Sequence, residues 1–528
     1  MADSPTAAPA DRRRRLAAST ATFGAATALS RIAGVVRESI AAGVLGSGPT
    51  LSAFNIAFNI PNLVRSVVAD NAISGAFVPV FVELREKGEE REAWHVAGMV
   101  LWTAAVALGA IAALFILLAP WLMPLLMFGQ DNVPTELVVS LSRWLFPIVP
   151  ILGMTGVVTG VLNSYEVFGV PALTPIAWNG VIIAALGYAT TVASPDDRAT
   201  IYAIGVLLAT IVQFLIPLPL LRGRSKGLAF RLGFGNPEVR RILRLMVPVS
   251  LGLGLINVNL TIDLLVATHA SSHAVSDLNF AFRLFMLPQG LFSVAVSQVL
   301  FPEISRLAAR GDTTGFARTV ASGGRAIIFL LLPAAAVSIV MAKPIVRLLY
   351  QHGRFTAAAT THVSWTLVAF SVGLVFNGLA LLLTRAFFSI QEPRIPTLIA
   401  CANLVLNLVL DIALVSWGAP GIAASTSAVT LFNAALLVVL LQRRTGTLHL
   451  RELGGETIRI GSASLACAAA ALVVWLPLDH LLGQSFPAEL VSVGAGLAAA
   501  GAVYVACARF LHLQELETVR SLLPRRGK

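Results

Sequence analysis

Residues 53–81 read AFNIAFNIPNLVRSVVADNAISGAFVPVF, a run long enough to cross a bilayer, for which about 20 apolar residues suffice. Asn55, Asn59, Asn62 and Ser66 recur in it at helical spacing, so the run forms a helix with one polar face on an otherwise apolar surface. Arg65 lies beside that face. Further along, Asn55-Ile-Ala-Phe58 returns as Asn279-Phe-Ala-Phe282, and Phe77-Val-Pro79 as Leu300-Phe-Pro302, in one register save for a single-residue gap. The second run carries its own polar stripe, Asn279, Arg283, Met286, Gly290, Ser293 and Ser297. One match of four residues can arise by chance; two in the same register indicate an internal repeat, with these runs as equivalent helices of two halves.

Composition generalises this to the whole chain. The 528 residues are 56% hydrophobic and only 12% charged, with a mean hydropathy of +0.81. Soluble domains carry about 25% charged residues. Lipid must therefore cover most of the surface. The net charge of +11 does not indicate a nucleic-acid partner, because Lys and Arg sit in short loops between apolar runs. Cys401, Cys467 and Cys507 all fall in apolar runs and offer neither a disulfide framework nor metal-ligand spacing. The basic start, Arg12–Arg15, precedes an apolar segment that is too long for a cleaved leader and contains Arg31 and Arg37, so it is expected to stay as the first span.

About fourteen spans are expected: 17–46, 52–82, 94–127, 137–162, 171–193, 199–221, 239–269, 274–304, 321–350, 360–389, 395–416, 420–442, 457–477 and 488–511. Loops after even-numbered spans hold Arg85, Lys87 and Arg91; a cluster from Arg222 to Arg244; Arg306, Arg310 and Arg318; Arg394; and Arg443, Arg444, Arg451 and Arg459. The opposite loops hold mainly Arg198 and Arg354, with Lys343 and Arg347 near an edge. This bias places both termini in the cytoplasm and makes the span count even. The expected organisation is a disordered basic N-terminus 1–16, a six-helix lobe 17–221, a basic linker 222–238, a second six-helix lobe 239–442, a cytoplasmic loop 443–456, two additional helices 457–511 and a tail 512–528. Six is even, so the halves run parallel, an arrangement that places substrate sites between repeats.

Charges inside membrane helices cost about 2.5–3.5 kcal/mol at the bilayer centre on insertion scales and mark functional positions. Arg31 and Arg37 in span 1, Arg65 in span 2 and Arg283 in span 8 qualify; Glu38 follows Arg37 and lies two turns from Arg31. With Asn55, Asn59, Asn62 and Asn279, and Ser250, Gly254, Asn257 and Thr261 of span 7, they outline a cationic lining. Guanidinium forks pair bidentately with phosphate, so the expected substrate is anionic and phosphate-bearing. The alternatives are that Arg37 reaches the interface or pairs with Glu38, that Arg65 binds a lipid headgroup, and that the Asn stripe packs helices.

A second constellation is acidic. Asp263 lies in span 7, and Asn403, Asn407 and Asp411 share one face of span 11, with Thr426, Ser427 and Thr430 in span 12. These groups suit a hard monovalent cation or proton exchange; the alternative is interhelical hydrogen bonding, with Asp411 wet at the outer surface. Of the histidines, His269 and His273 fall in an outer loop and His352 beside another, as surface residues. No Walker A, H-E-x-x-H or D-x-x-D pattern is present in the loops, so the sequence offers no enzyme motif.

The strings SRIAGVVRE (30–38), the 53–81 run, LPQGLFSVAVSQVLFPEISR (287–306) and HGRFT (352–356) resemble the MurJ/MviN family of lipid II flippases, within the superfamily of multidrug and polysaccharide exporters. The resemblance runs through most of spans 1–12. It implies a V-shaped, alternating-access fold whose cavity binds the pyrophosphate of lipid II through Arg31, Arg37, Arg65 and Arg283, with spans 13 and 14 forming a groove for the polyprenyl tail. It further implies a sodium site at Asp263, Asn407, Asp411 and Ser427, with sodium, proton or membrane-potential coupling and no other cofactor. Lipid II, membrane lipids and cell-wall synthesis or division proteins are the implied partners. The family usually carries an acidic residue where this chain has Ser52, just before Ala53-Phe54. The competing expectations are a polysaccharide-lipid or drug exporter of the same superfamily, a polyprenyl-phosphate membrane enzyme, or a division scaffold. Four cavity arginines disfavour cationic drugs, and short loops disfavour an enzyme.

Overall fold

A backbone in lipid must satisfy its own N–H and C=O groups, and consecutive apolar runs do so as helices. The computed structural model describes residues 29–65, 74–127, 132–165, 167, 169–221, 231–233, 235–445, 450–513 and 515–516, and among these there are helices and no strands. The helices are α1 (29–45), α2 (Pro49–Arg65), α3 (Ser74–Glu86), α4 (Glu90–Leu126), α5 (Thr135–Leu145), α6 (Ile148–Ser164), α7 (Gly169–Ala189), α8 (Pro195–Leu215) and α9 (Pro237–Ala270). They continue with α10 (Ala274–Pro288), α11 (Val294–Ala309), α12 (Thr313–Val340), α13 (Ala342–Tyr350), α14 (Ala357–Ser389), α15 (Arg394–Leu414), α16 (Ala419–Thr445), α17 (Leu450–Leu482) and α18 (Phe486–Phe510).

Among the described residues, 11 helices are long and apolar enough to cross a membrane. They coincide with expected spans 3–6 and 8–14. Spans 1, 2 and 7 fall on α1, on α2 with α3, and on α9, each of which lies partly outside the described residues or side chains. Two expectations need correcting. Span 9 is not continuous to residue 350: helix geometry lapses at Met341 (φ −100°, ψ 14°), and α13 follows as a separate amphipathic helix. Span 8 is broken by a single π-helical turn, Gln289–Ser293, directly after Pro288. Proline removes a backbone donor from the ladder, and a π turn restores the remaining bonds with one extra residue.

The chain divides into two compact units, residues 1–261 and 262–528, so the division falls within α9 and not in the basic linker. The N-terminal part of α9 belongs to the first unit because Val239, Ile242 and Met246 are buried in a core with Phe77, Phe81 and Trp94.

The repeat is visible inside each unit. In the first, α6 packs on α2, α3, α4 and α8, and α7 on α8; in the second, α14 packs on α10, α11, α12 and α16, and α15 on α16. Those are the same pairings between equivalent helices. The added helices α17 and α18 pack on each other and on α12. The Tyr504 hydroxyl donates to the Phe329 carbonyl at 2.5 Å, and Arg347 of α13 pairs with Asp479 of α17 and, at 2.8 Å, with Glu489 of α18. The faces left outward are apolar, as lipid requires: Leu117, Trp121, Leu398, Val405, Ile458 and Phe510 are all well exposed.

Candidate functional site

The first unit holds the arginine-rich set. Arg31 is exposed on α1, whereas Arg37, two turns on, is buried. Arg37 pairs with Glu38, and its guanidinium lies 4.9 Å from the centre of the Trp178 ring on α7. Stacking on an indole holds the planar cation without removing its charge. Arg65 ends α2, and its side chain lies outside the described set, as do residue Ser66, the surroundings of Gly254 and the side chains of Ser250 and Asn257. On α2, Asn55, Asn59 and Asn62 are half-buried, and Asn59 donates to the Thr261 hydroxyl of α9 at 3.1 Å. Ser52 is fully buried in the first turn of α2, near the stack of Phe54 on Tyr202.

At the end of the same unit, Arg85 donates to the Ser164 carbonyl at 2.8 Å and lies 3.8 Å from the Tyr165 ring centre. It thereby caps the C-terminus of α6. Burial raises the Tyr165 phenol above its ordinary value. The neighbouring Glu83 carboxyl is held below its usual range by its hydrogen bond from Lys87 and by Arg241.

In the second unit, Arg283 is exposed on α10 and Asn279 half-buried, its amide donating back to the Val275 carbonyl at 2.9 Å. The stripe expected to continue through Ser293 and Ser297 does not. Both serines are fully buried, and Ser293 donates to Gln289, which itself donates to Asn377 of α14 at 2.8 Å. The physical reason is the π turn: one extra residue rotates the following helix by about 100°. Positions 293 and 297 thus leave the face of 279 and 283.

The acidic constellation closes inside the second unit. Asn407 and Asp411 are fully buried on α15, and Asp263 is buried at the end of α9. The Asn407 amide nitrogen donates to Asp263 and, at 2.9 Å, to Asp411, while the Thr426 hydroxyl donates to Asp263 at 3.2 Å. Asp411 is not wet. Ser427 points elsewhere, donating at 2.7 Å to the Ala369 carbonyl of α14. The buried oxygens Asn403 Oδ1, Asn407 Oδ1 and Asp411 Oδ1 have no donor among the described residues. A buried carboxylate pair with surplus acceptors needs a cation or a proton to offset its desolvation. The donor set is all oxygen, which fits a hard cation. The lipid-facing side of α15, by contrast, is Leu398, Val405, Val409 and Ile412.

Sequence reasoning missed Trp178, Gln289 and Asn377, none of which carries a spacing signal. It also set aside His273, although His273 and Asp277 are one helical turn apart.

With the geometry in view, three comparisons bear on it. Residues 41–493 match the model of the family described as lipid II flippase MurJ. A probable lipid II flippase MurJ of Rhizobium meliloti is 31% identical over 96% of each chain. The lipid II flippase MurJ of Burkholderia cenocepacia is 29% identical over 79% of this chain and 82% of its own. Among solved structures, a lipid II flippase MurJ in an inward closed conformation covers 93% of this chain and 99% of its own, with TM-score 0.75 at 23% identity. An inward-facing multidrug resistance MATE family transporter covers 80% and 95%, with TM-score 0.68 at 16% identity. At such identities the structures show the fold alone.

Proposed function

This chain belongs to the lipid II flippase MurJ family, and on that footing we propose that it moves the undecaprenyl-pyrophosphate-linked peptidoglycan precursor from the inner to the outer leaflet by alternating access. The observation that carries this is the family match over 41–493, which takes in apolar helices bearing Arg65 and Arg283. Arg31 and Arg37 lie just ahead of it on α1.

The headgroup enters from the cytoplasmic leaflet, and the guanidinium groups of Arg31, Arg37, Arg65 and Arg283 take the pyrophosphate, with Asn55, Asn59, Asn62 and Asn279 as neutral donors. Glu38 holds Arg37 in orientation; what supports this is the ion pair together with the Trp178 stack. Asp263, Asn407, Asp411 and Thr426 would hold Na+, which offsets the two buried carboxylates. The orphaned oxygens of Asn407 and Asp411 support that assignment. Ion and substrate drive the cycle only by binding the two access states unequally.

Both termini face the cytoplasm in this reading, and the cytoplasmic membrane is the location. The charge bias supports it, and two of the outer exceptions have local causes. Of these, Arg198 donates to the Val44 carbonyl at 3.1 Å, capping the end of α1, and Arg347, near an edge, is neutralised by two carboxylates; Arg354 stays as an outer charge.

The test is complementation of a flippase-depleted strain. Arg283→Ala is expected to abolish growth at normal membrane abundance, with Arg283→Lys retaining part of it. Normal growth with Arg283→Ala would remove Arg283 from the site.

A further inference from the structure

Outside the arginine set and the acidic constellation, one cluster in the second unit is unaccounted for. His273 occupies the N-cap position of α10, and Asp277 lies one turn later on the same face. His362, in the second turn of α14, reaches them because α10 packs on α14. The imidazole Nδ1 of His273 is 3.1 Å from Asp277 Oδ2, and that of His362 is 3.8 Å from the same oxygen. All three ligand atoms lie within 4.8 Å of one another. The Asp277 side chain is only 2% exposed, while the two histidines are 37% and 49% exposed and open onto a cavity of about 400 Å3. Ser271, Trp365 and Trp417 are among its walls.

We infer that His273, Asp277 and His362 form a binding site for a divalent transition metal of the Zn2+ class. Two imidazoles and one carboxylate are the ligands such ions take; Mg2+ and Ca2+ prefer oxygen alone. Ligands at about 2.0–2.1 Å around a tetrahedral ion stand about 3.3 Å apart. The His273–Asp277 pair is already close to that separation, and His362 needs to close by about half an ångström toward Asp277 and by up to about 1.5 Å toward His273, within the reach of side-chain rotations of two partly exposed rings. Three protein ligands leave the fourth position open toward the cavity. A dication also offsets the charge of a carboxylate buried between two imidazoles, neither of which is charged when it ligates.

The consequence is mechanical. The metal ties the start of α10 to α14, and α10 carries Asn279 and Arg283 about two and three turns after His273. Occupancy therefore restrains the helix that presents Arg283. In the orientation proposed above this end of the unit faces outward, so the ion comes from the extracytoplasmic side. Binding itself requires neither that orientation nor lipid II as substrate, so its test stands apart from the flippase reading.

The full-length protein, stripped with chelator and held in detergent, is titrated with Zn2+ against a chromophoric competitor, and its thermal midpoint is followed with and without Zn2+. One equivalent is expected to bind and raise the midpoint, with millimolar Mg2+ or Ca2+ failing to compete. His273→Ala and His362→Ala are each expected to lower affinity by at least the roughly 10–100-fold that even loss of an outer partner costs. His362→Cys, which restores a zinc ligand, is expected to recover much of it and guards against a folding artefact. Equal Zn2+ affinity in the wild type and the His273→Ala/His362→Ala double variant would overturn the inference, as would absence of saturable binding to the wild type.

Discussion

Two neighbouring hydroxyls separate the proposed cation site from helix packing. Thr426 donates to Asp263 and Ser427 to the backbone of α14, so equivalent truncations have different consequences. Ser427→Ala is expected to cost about 1 kcal/mol of stability, the net worth of one hydrogen bond, and to leave any sodium response intact. Thr426→Val and Asp411→Ala are expected to abolish that response. Thermal midpoints in NaCl against choline chloride measure it: a ligand at a hundredfold its dissociation constant adds about 2.7 kcal/mol to the state that binds it. A sodium response in Asp411→Ala equal to that of the wild type would dismiss the cation site and leave proton or potential coupling. The polar spacing on α15 made Asn407 and Asp411 legible in the sequence. The choice between Thr426 and Ser427 was not, because adjacent helix positions differ by about 100° and only the packing of α16 decides which one faces α9.

At the scale of elements, close helix contacts and charge pairs set the tolerances. A Cβ on Gly373 of α14 would lie 2.9 Å from the Ser427 Cα of α16, backbone that cannot rotate aside. Gly373→Ala is expected to push the two helices apart at about 1–3 kcal/mol, read as a lower midpoint in detergent. Arg347 joins α13 to α17 and α18 through Asp479 and Glu489, all three mostly buried. Arg347→Ala strands two carboxylates and is expected to cost about 3–5 kcal/mol, whereas replacing all three groups by apolar residues should be far milder. Protease sensitivity of the 443–456 segment, together with the thermal midpoint, measures how well the added pair stays docked. Apolar runs and proline positions made most of the 11 described spans legible, with edges off by up to about ten residues in span 9. The break at Met341 and the π turn after Pro288 were not, since hydropathy does not register a change of helix pitch.

For the whole molecule, the repeated motif in spans 2 and 8 anticipated the recurring helix pairings of the two units. It did not anticipate that the division falls inside α9. That helix spends its first turns in the Phe77–Trp94 core and its last in the Asp263–Asn407 cluster, contacts that no local pattern encodes. The family resemblance supplied the substrate; the residues alone supplied only an anionic one. Orientation is checked by single cysteines at Lys87 and Arg444 in a cysteine-free chain. Both are expected to be shielded from a membrane-impermeant thiol reagent in intact cells and labelled after permeabilisation. Transport of the lipid-linked precursor is read out by leaflet-resolved measurement of lipid II in cells depleted of this protein. Outer-leaflet lipid II is expected to fall while the inner-leaflet pool rises, and the wild-type chain but not Arg283→Ala is expected to restore the distribution. An unchanged outer-leaflet pool on depletion, with no other flippase present, would contradict transport by this chain.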